Sequence, residues 1–166
     1  MQKITPCLWF DDQAEEAARF YVSIFRGSKI ISIGRCTKDV SKHTGKRPGS
    51  VLTVSFKISG QDFLALNGGP IFKISEAVSF IVNCESQKEI DRHWAKLSTG
   101  GEESQCGWLK DKFGVSWQIV PTFVGEIMGG KDAAKAERLM SAVLTMKKLD
   151  LKKMKEAVRN PKRKSS

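Results

Sequence analysis

Gln118 is the side chain whose surroundings first suggest chemistry. It lies in the run Ser116-Trp117-Gln118-Ile119-Val120, where strand alternation puts Ser116, Gln118 and Val120 on one face and Trp117 and Ile119 on the other. An amide among large apolar neighbours either holds a ligand carbonyl or hydroxyl, or satisfies backbone groups as a structural amide. Ser79, Asn67 and Trp108 are the candidates to share a cavity with it, bringing a hydroxyl, a second amide and an aromatic wall.

Other chemistry-bearing residues are placed less well. The four cysteines, Cys7, Cys36, Cys84 and Cys106, are scattered without a C-x-x-C spacing, and the reduced state is expected. With His43 and His93 the only histidines, no structural zinc site can be assembled at the usual spacings. A cysteine nucleophile needs a positioned base, and no motif supplies one; His93 reads as a helix position facing a sheet. Gly125 to Lys131 has the spacing of a phosphate-cradling loop, yet Asp132 stands where a Ser or Thr would bind magnesium. Asp132 is more simply a helix N-cap. No metal and no cofactor are expected.

The formal charge of +10 is unevenly spread. From Lys147 to Lys164 nine Lys/Arg and two acids give +7, which leaves the remainder at +3. No aromatic residue is interleaved there as a stacking platform, so a solvated basic tail is favoured over a nucleic-acid site. A second basic stretch, Lys42, His43, Lys46 and Arg47 within Asp39 to Gly49, is either a lid for an anionic ligand or a solvated loop. The 166 residues, 40% hydrophobic, suffice for a real core, and no apolar run has the roughly 20 residues a membrane helix needs. With no secretory signal pattern either, a cytoplasmic location is expected.

The elements that position these residues follow from local pattern. Lys3 to Phe10 reads as a strand, and Asp12 with Glu15 has capping-box spacing for a helix whose face is Ala17, Phe20 or Tyr21, and Ile24, stopped by Gly27. Strands follow at Lys29 to Thr37, Val51 to Ser59 and Asp62 to Asn67. Sliding the chain by 73 residues then places Pro6 on Ser79, Ala17 on Ile90, Tyr21 on Trp94, Ile24 on Leu97 and Gly27 on Gly100, an internal repeat. The second copy has its own capping box, Ser86 with Glu89, and ends in a hairpin turned at Asp111-Lys112-Phe113-Gly114. The expected fold is α+β: two tandem βαβββ modules, 1–70 and 77–122, together one compact domain. A C-terminal helix over 131–159 and a basic tail over 160–166, expected to fray, complete the chain.

Two such modules joined by a Gly/Pro link resemble the vicinal oxygen chelate (glyoxalase-like) superfamily. The strings Ile4-Thr5-Pro6-Cys7-Leu8-Trp9-Phe10-Asp11, Ala65-Leu66-Asn67-Gly68-Gly69-Pro70 and Cys106-Gly107-Trp108-Leu109-Lys110-Asp111 resemble its PhnB-like branch, whose proteins are commonly named 3-demethylubiquinone-9 3-methyltransferase. The resemblance implies curved half-barrels around a cavity, a homodimer, and, in metal-using members, four inward ligand positions. Those positions fall here on Pro6, near Ala65, Ser79 and Gln118, and Pro and Ala cannot bind a metal. The first helix begins Asp-Asp-Gln-Ala-Glu-Glu, without the glycines that hold a methyl-donor nucleotide. The expectation is therefore a protein that binds an unidentified small molecule without a metal. The alternative is a metal-dependent lyase or dioxygenase-type enzyme of the same superfamily.

Overall fold

Alanines at helical spacing let the first helix approach its sheet closely. Helix α1 (Ala14–Ile24) buries Ala14, Ala17, Ala18, Tyr21 and Ile24. In the computed structural model, which describes residues 2–159, this face packs on a sheet of β1 (Cys7–Phe10), β2 (Lys29–Arg35), β3 (Val51–Ile58) and β4 (Gln61–Asn67). The strand order is β1-β4-β3-β2, with β1 parallel to β4 and the other pairs antiparallel. Beneath the alanines the rings of Tyr21, Phe56 and Phe63 stack with centroids 6.2 and 5.5 Å apart. Each such ring removed from water contributes about 2 kcal/mol.

The polar stretch expected as a loop contains a helix, α2 (Lys38–Thr44). Thr37 Oγ1 accepts from the Val40 amide at 3.3 Å, and Gly45 closes the helix in the left-handed region at φ 70°. These are ordinary start and stop signals, hidden by the lack of an apolar face. None of its residues is buried.

The second half repeats the plan with β5 (Ser79–Cys84), α3 (Gln87–Ser98), β6 (Glu102–Glu103), β7 (Trp108–Lys110) and β8 (Ser116–Pro121). Its order is β5-β8-β7-β6, with β5 parallel to β8. The chain forms two compact units, Met1–Ile74 and Ser75–Ser166. Helix α3 buries Ile90, Trp94 and Leu97. Its capping box forms: Ser86 Oγ accepts from the Glu89 amide at 3.3 Å, and Glu89 Oε2 accepts from the Glu85 amide at 2.7 Å. The β7–β8 hairpin turns as expected, around a buried Asp111 and with Gly114 at φ 85°.

The first copy starts its helix differently. No side chain caps α1 at Gln13, and the expected pairing of Asp12 with Glu15 is absent. The Ala14 amide instead donates to Asn67 Oδ1 of β4 at 2.8 Å, while Glu15 accepts from Arg19 one turn on. A residue 53 positions away thus does the work the local sequence assigned to a neighbour.

The repeat also carries one extra residue in its first copy. Three residues, Asp11 to Gln13, join β1 to α1, whereas two, Glu85 and Ser86, join β5 to α3. Buried helix positions therefore correspond at an offset of 73, Tyr21 with Trp94 and Ile24 with Leu97, while the buried strand ends Phe10 and Cys84 correspond at 74. An offset of one reverses the face of a strand.

After α4 (Thr122–Met128), the one helix expected over 131–159 is two, α5 (Ala133–Val143) and α6 (Leu151–Arg159). A single helix would leave two apolar stripes without a partner. Breaking it lets α5 and α6 fold on each other around Leu139, Val143, Leu149, Met154 and Val158. Gln87 fixes the break, its Nε2 donating to the Leu149 carbonyl and its Oε1 accepting from the Leu151 amide. Asp132 caps α5 as expected, accepting from the Lys135 amide at 2.9 Å. Gly125, the first glycine of the phosphate-loop spacing, lies inside α4, so no cradling loop forms. The expectation for 160–166 falls outside the described residues.

Candidate ligand-binding site

Strand β8 sorts its side chains sharply. Trp117, Ile119 and Pro121 are buried on the side that carries α3, and Ser116, Gln118 and Val120 point to the opposite, open side. Gln118 Nε2 donates to Ser79 Oγ on β5 at 2.9 Å. Trp108 stands directly across from Gln118 in the β7–β8 register. Three of the four predicted residues are thus brought together on one face. Ser79 orients the amide, and among the described residues Gln118 Oε1 accepts no hydrogen bond and the Trp108 indole N–H donates none. The face presents a positioned acceptor and an aromatic donor beside an exposed apolar residue, Ile81, 56% accessible.

Asn67 does not belong with them. It lies in the first unit on the α1 side of β4, and its amide is used at both ends, Oδ1 by the Ala14 amide and Nδ2 by the Val51 carbonyl at 3.0 Å. It is a structural clamp, which corrects its assignment to a ligand cavity. The two inward positions placed in the first module need the same correction. Ala65 is fully buried against α1, and alternation places Pro6 with Leu8 and Phe10 on that side. The open-side residues are Cys7 and Trp9 on β1 and Leu64 and Leu66 on β4, with Cys7 opposite Leu64. The cause is the extra residue before α1, which makes an alignment of the helices misplace the strand by one.

Cys84 and His93, which no motif connected, lie with Sγ 3.8 Å from Nδ1. Cys84 is 1% exposed. Burial, with the Glu89 carboxylate second, pushes its thiol up to about 11. Burial, with the Arg92 guanidinium second, holds His93 below the usual imidazole range. A neutral thiol beside a neutral imidazole is a resting pair and not an activated nucleophile. Below about pH 11 the thiol form dominates, so iodoacetamide at pH 8 should alkylate the exposed Cys7 and leave Cys84 unmodified in native protein. Labelling of Cys84 at a rate near that of Cys7, read by peptide mass spectrometry, would contradict this.

A cleft of about 480 Å³ opens along the β7 end of the same face. Its walls include Trp108, Lys110 and Ser116, with Glu76 and Glu102 at the rim. Lys110 pairs with Glu76, whose carboxylate, assisted by Glu102, keeps the ammonium protonated above its usual range. A larger groove of about 880 Å³ runs beside α6 and contains none of the four predicted residues. The basic stretch at α2 shows a plain surface pair, Lys42 with Asp39 at 2.8 Å.

The two βαβββ halves coincide with what known proteins match. A family model described as 3-demethylubiquinone-9 3-methyltransferase matches residues 2–120. The chain belongs to that family. The PhnB protein of Bacillus cereus is similar at 35% identity and TM-score 0.65, over 73% of this chain and all of that one. Two further structures share the fold: a protein of Pseudomonas aeruginosa at 18% identity and TM-score 0.58, over 73% and 98% of the chains, and the fosfomycin resistance protein FosX of Listeria monocytogenes at 14% and 0.52, over 75% and 94%. No curated protein matches. The architecture is that of the vicinal oxygen chelate, glyoxalase-like superfamily.

Neither group that these names imply fits the residues present. The open side of the first unit carries oxygen donors in Thr53, Ser55 and Asp62, the last paired with Lys57, and that of the second carries Ser79, Ser116 and Gln118; neither set gathers the several carboxylates or imidazoles a divalent cation wants. Among the described residues no three His, Cys, Asp or Glu side chains converge. For a methyl-donor nucleotide, the turns before α1 and α3, Asp11 to Gln13 and Glu85 to Ser86, contain no glycine to admit a phosphate or nucleotide against the helix N-terminus.

Proposed function

We propose that this member of the family binds a small molecule on the open face of its second sheet, without a metal. The observation that supports it is the Gln118 amide, held by Ser79 at 2.9 Å with its Oε1 unused. An amide serving only structure would use both ends, as Asn67 does. In this reading Gln118 Oε1 accepts from the ligand, the Trp108 indole stacks on it and donates to it, and Ser79 keeps the amide in place. The family name attaches a methyl transfer to ubiquinone precursors; these residues offer recognition and no group-transfer step. The cavity-binding homodimer implied by the superfamily resemblance forms part of the proposal, and sedimentation velocity reads the dimer directly.

A thermal-shift screen of metabolites in the presence of chelator tests the reading, because a ligand at about 100 times its dissociation constant adds roughly 2.7 kcal/mol, several degrees for a chain of this size. Gln118→Ala is expected to weaken the hit at least tenfold while changing the unliganded melting temperature little. Equal losses of binding and stability would make Gln118 structural. A shift seen only with a divalent cation would transfer the reading to a metal-dependent enzyme of the superfamily.

A further inference from the structure

Ser116 is an anomaly on the open face. It is 1% exposed and its hydroxyl has no hydrogen-bond partner among the described residues. A buried hydroxyl left unpaired costs about 1–3 kcal/mol, and a neighbouring carbonyl or an alanine would remove that cost. Lys110, directly opposite it across the β7–β8 register, sends its side chain to the same side, and both residues wall the 480 Å³ cleft. The unpaired hydroxyl therefore belongs to a cleft of a size that takes a small organic molecule.

The charges of that cleft indicate what it takes. Two carboxylates, Glu76 and Glu102, stand on the side of one ammonium, Lys110, while Glu103 is turned to the α3 side opposite Leu109. Glu103 accepts from the Trp94 indole at 2.7 Å, and Glu76 is paired with Lys110. Glu102 has no hydrogen bond or ion pair among the described residues. What remains unused is one carboxylate, the face of Trp108 and a buried hydroxyl. A carboxylate beside an aromatic ring is a site for a cation, attracted by the charge and by the ring quadrupole. An anion would have to approach two carboxylates to reach a lysine already neutralised by one of them.

We propose that this cleft binds a small organic amine, with its ammonium between Glu102 and the Trp108 indole and an oxygen of the molecule hydrogen-bonded to Ser116. The inference rests on the reading of the second sheet as a ligand-binding face, and it names the class of ligand.

Three 4-substituted phenols of similar size whose end group is cationic, neutral or anionic test it: tyramine, tyrosol and 4-hydroxyphenylacetate, each titrated against the full chain while tryptophan fluorescence and melting temperature are followed. Tyramine is expected to bind at least tenfold more tightly than the other two. Glu102→Gln should remove that preference and leave tyrosol unchanged. Ser116→Ala should raise the unliganded melting temperature, because it deletes an unpaired hydroxyl, and should weaken tyramine. A preference for 4-hydroxyphenylacetate, no binding of tyramine, or tyramine binding indifferent to Glu102→Gln would each overturn the amine assignment. The face-binding reading is scored separately: it fails if Gln118→Ala leaves probe or screened-metabolite binding unchanged, whichever probe is preferred.

Discussion

Replacing Asp111 by Ala is expected to lower the stability of the protein by about 3 kcal/mol or more, near the upper end for a single substitution. The carboxylate is 3% exposed and serves three donors at once. Oδ1 accepts from the amides of Phe113 and Val115 at 2.9 and 3.0 Å, and Oδ2 accepts from the Trp117 indole at 2.8 Å. Removing it strands two backbone amides and an indole N–H in a place water reaches poorly, and each orphaned donor costs about 1–3 kcal/mol. Asp111→Asn separates the parts: it can keep the acceptor for the two amides while turning an NH₂ toward the indole, so an intermediate loss is expected. Urea unfolding of both variants checks the order. A loss under 1 kcal/mol for Asp111→Ala would show that the turn holds itself by the Gly114 conformation alone.

A comparable loss, about 3 kcal/mol, is expected for Gly107→Ala. Gly107 has φ 83°, where a side chain is strained, and a methyl there would lie 2.8 Å from the Ile119 carbonyl oxygen and 3.1 Å from Leu149. The first obstacle is main chain in the central part of the sheet and cannot step aside. The second is a member of the helical cluster. The neighbouring amides of Cys106 and Gly107 donate to the carbonyls of Met146 and Lys147 at 2.7 and 2.8 Å, so this one loop ties the β7–β8 hairpin to the α5–α6 connection. Circular dichroism should therefore show the helical signal and the tryptophan environment melting together in the native chain and separating in the variant. A variant that melts within 2 °C of the parent would disprove the steric argument.

What local pattern can carry was legible. The Ser86/Glu89 box, the Asp111 to Gly114 turn and the alternation through β8 are each contained in a few residues, and the structure has them all. Alternation and residue type mark Gln118, and the repeat marks Ser79, but their meeting with Trp108 depends on the pairing of β5 and β7 with β8, a long-range matter. The structural role of Asn67 is illegible for the same reason: its partner Ala14 is 53 positions away, so nothing nearby in the sequence shows that the amide is occupied. The break between α5 and α6 was hidden because Leu144 to Asp150 contains no Gly or Pro, and packing of two apolar stripes decided it. Ser116 carried no mark at all; a serine in a strand is unremarkable until the fold buries it and leaves it alone.

The extra residue between β1 and α1 has a consequence for how the two halves can change over time. A recombination event that aligned the copies by their helices and transferred a strand without the helix that follows it would insert that strand one residue out of phase. It would turn Leu8 and Phe10, or Val82 and Cys84, from the helix-covered side to the open one. Exchange of single strands between the halves is thus opposed at the level of folding, which favours their separate divergence. That the first copy has Leu64 where the second has Gln118 is the kind of difference such isolation preserves.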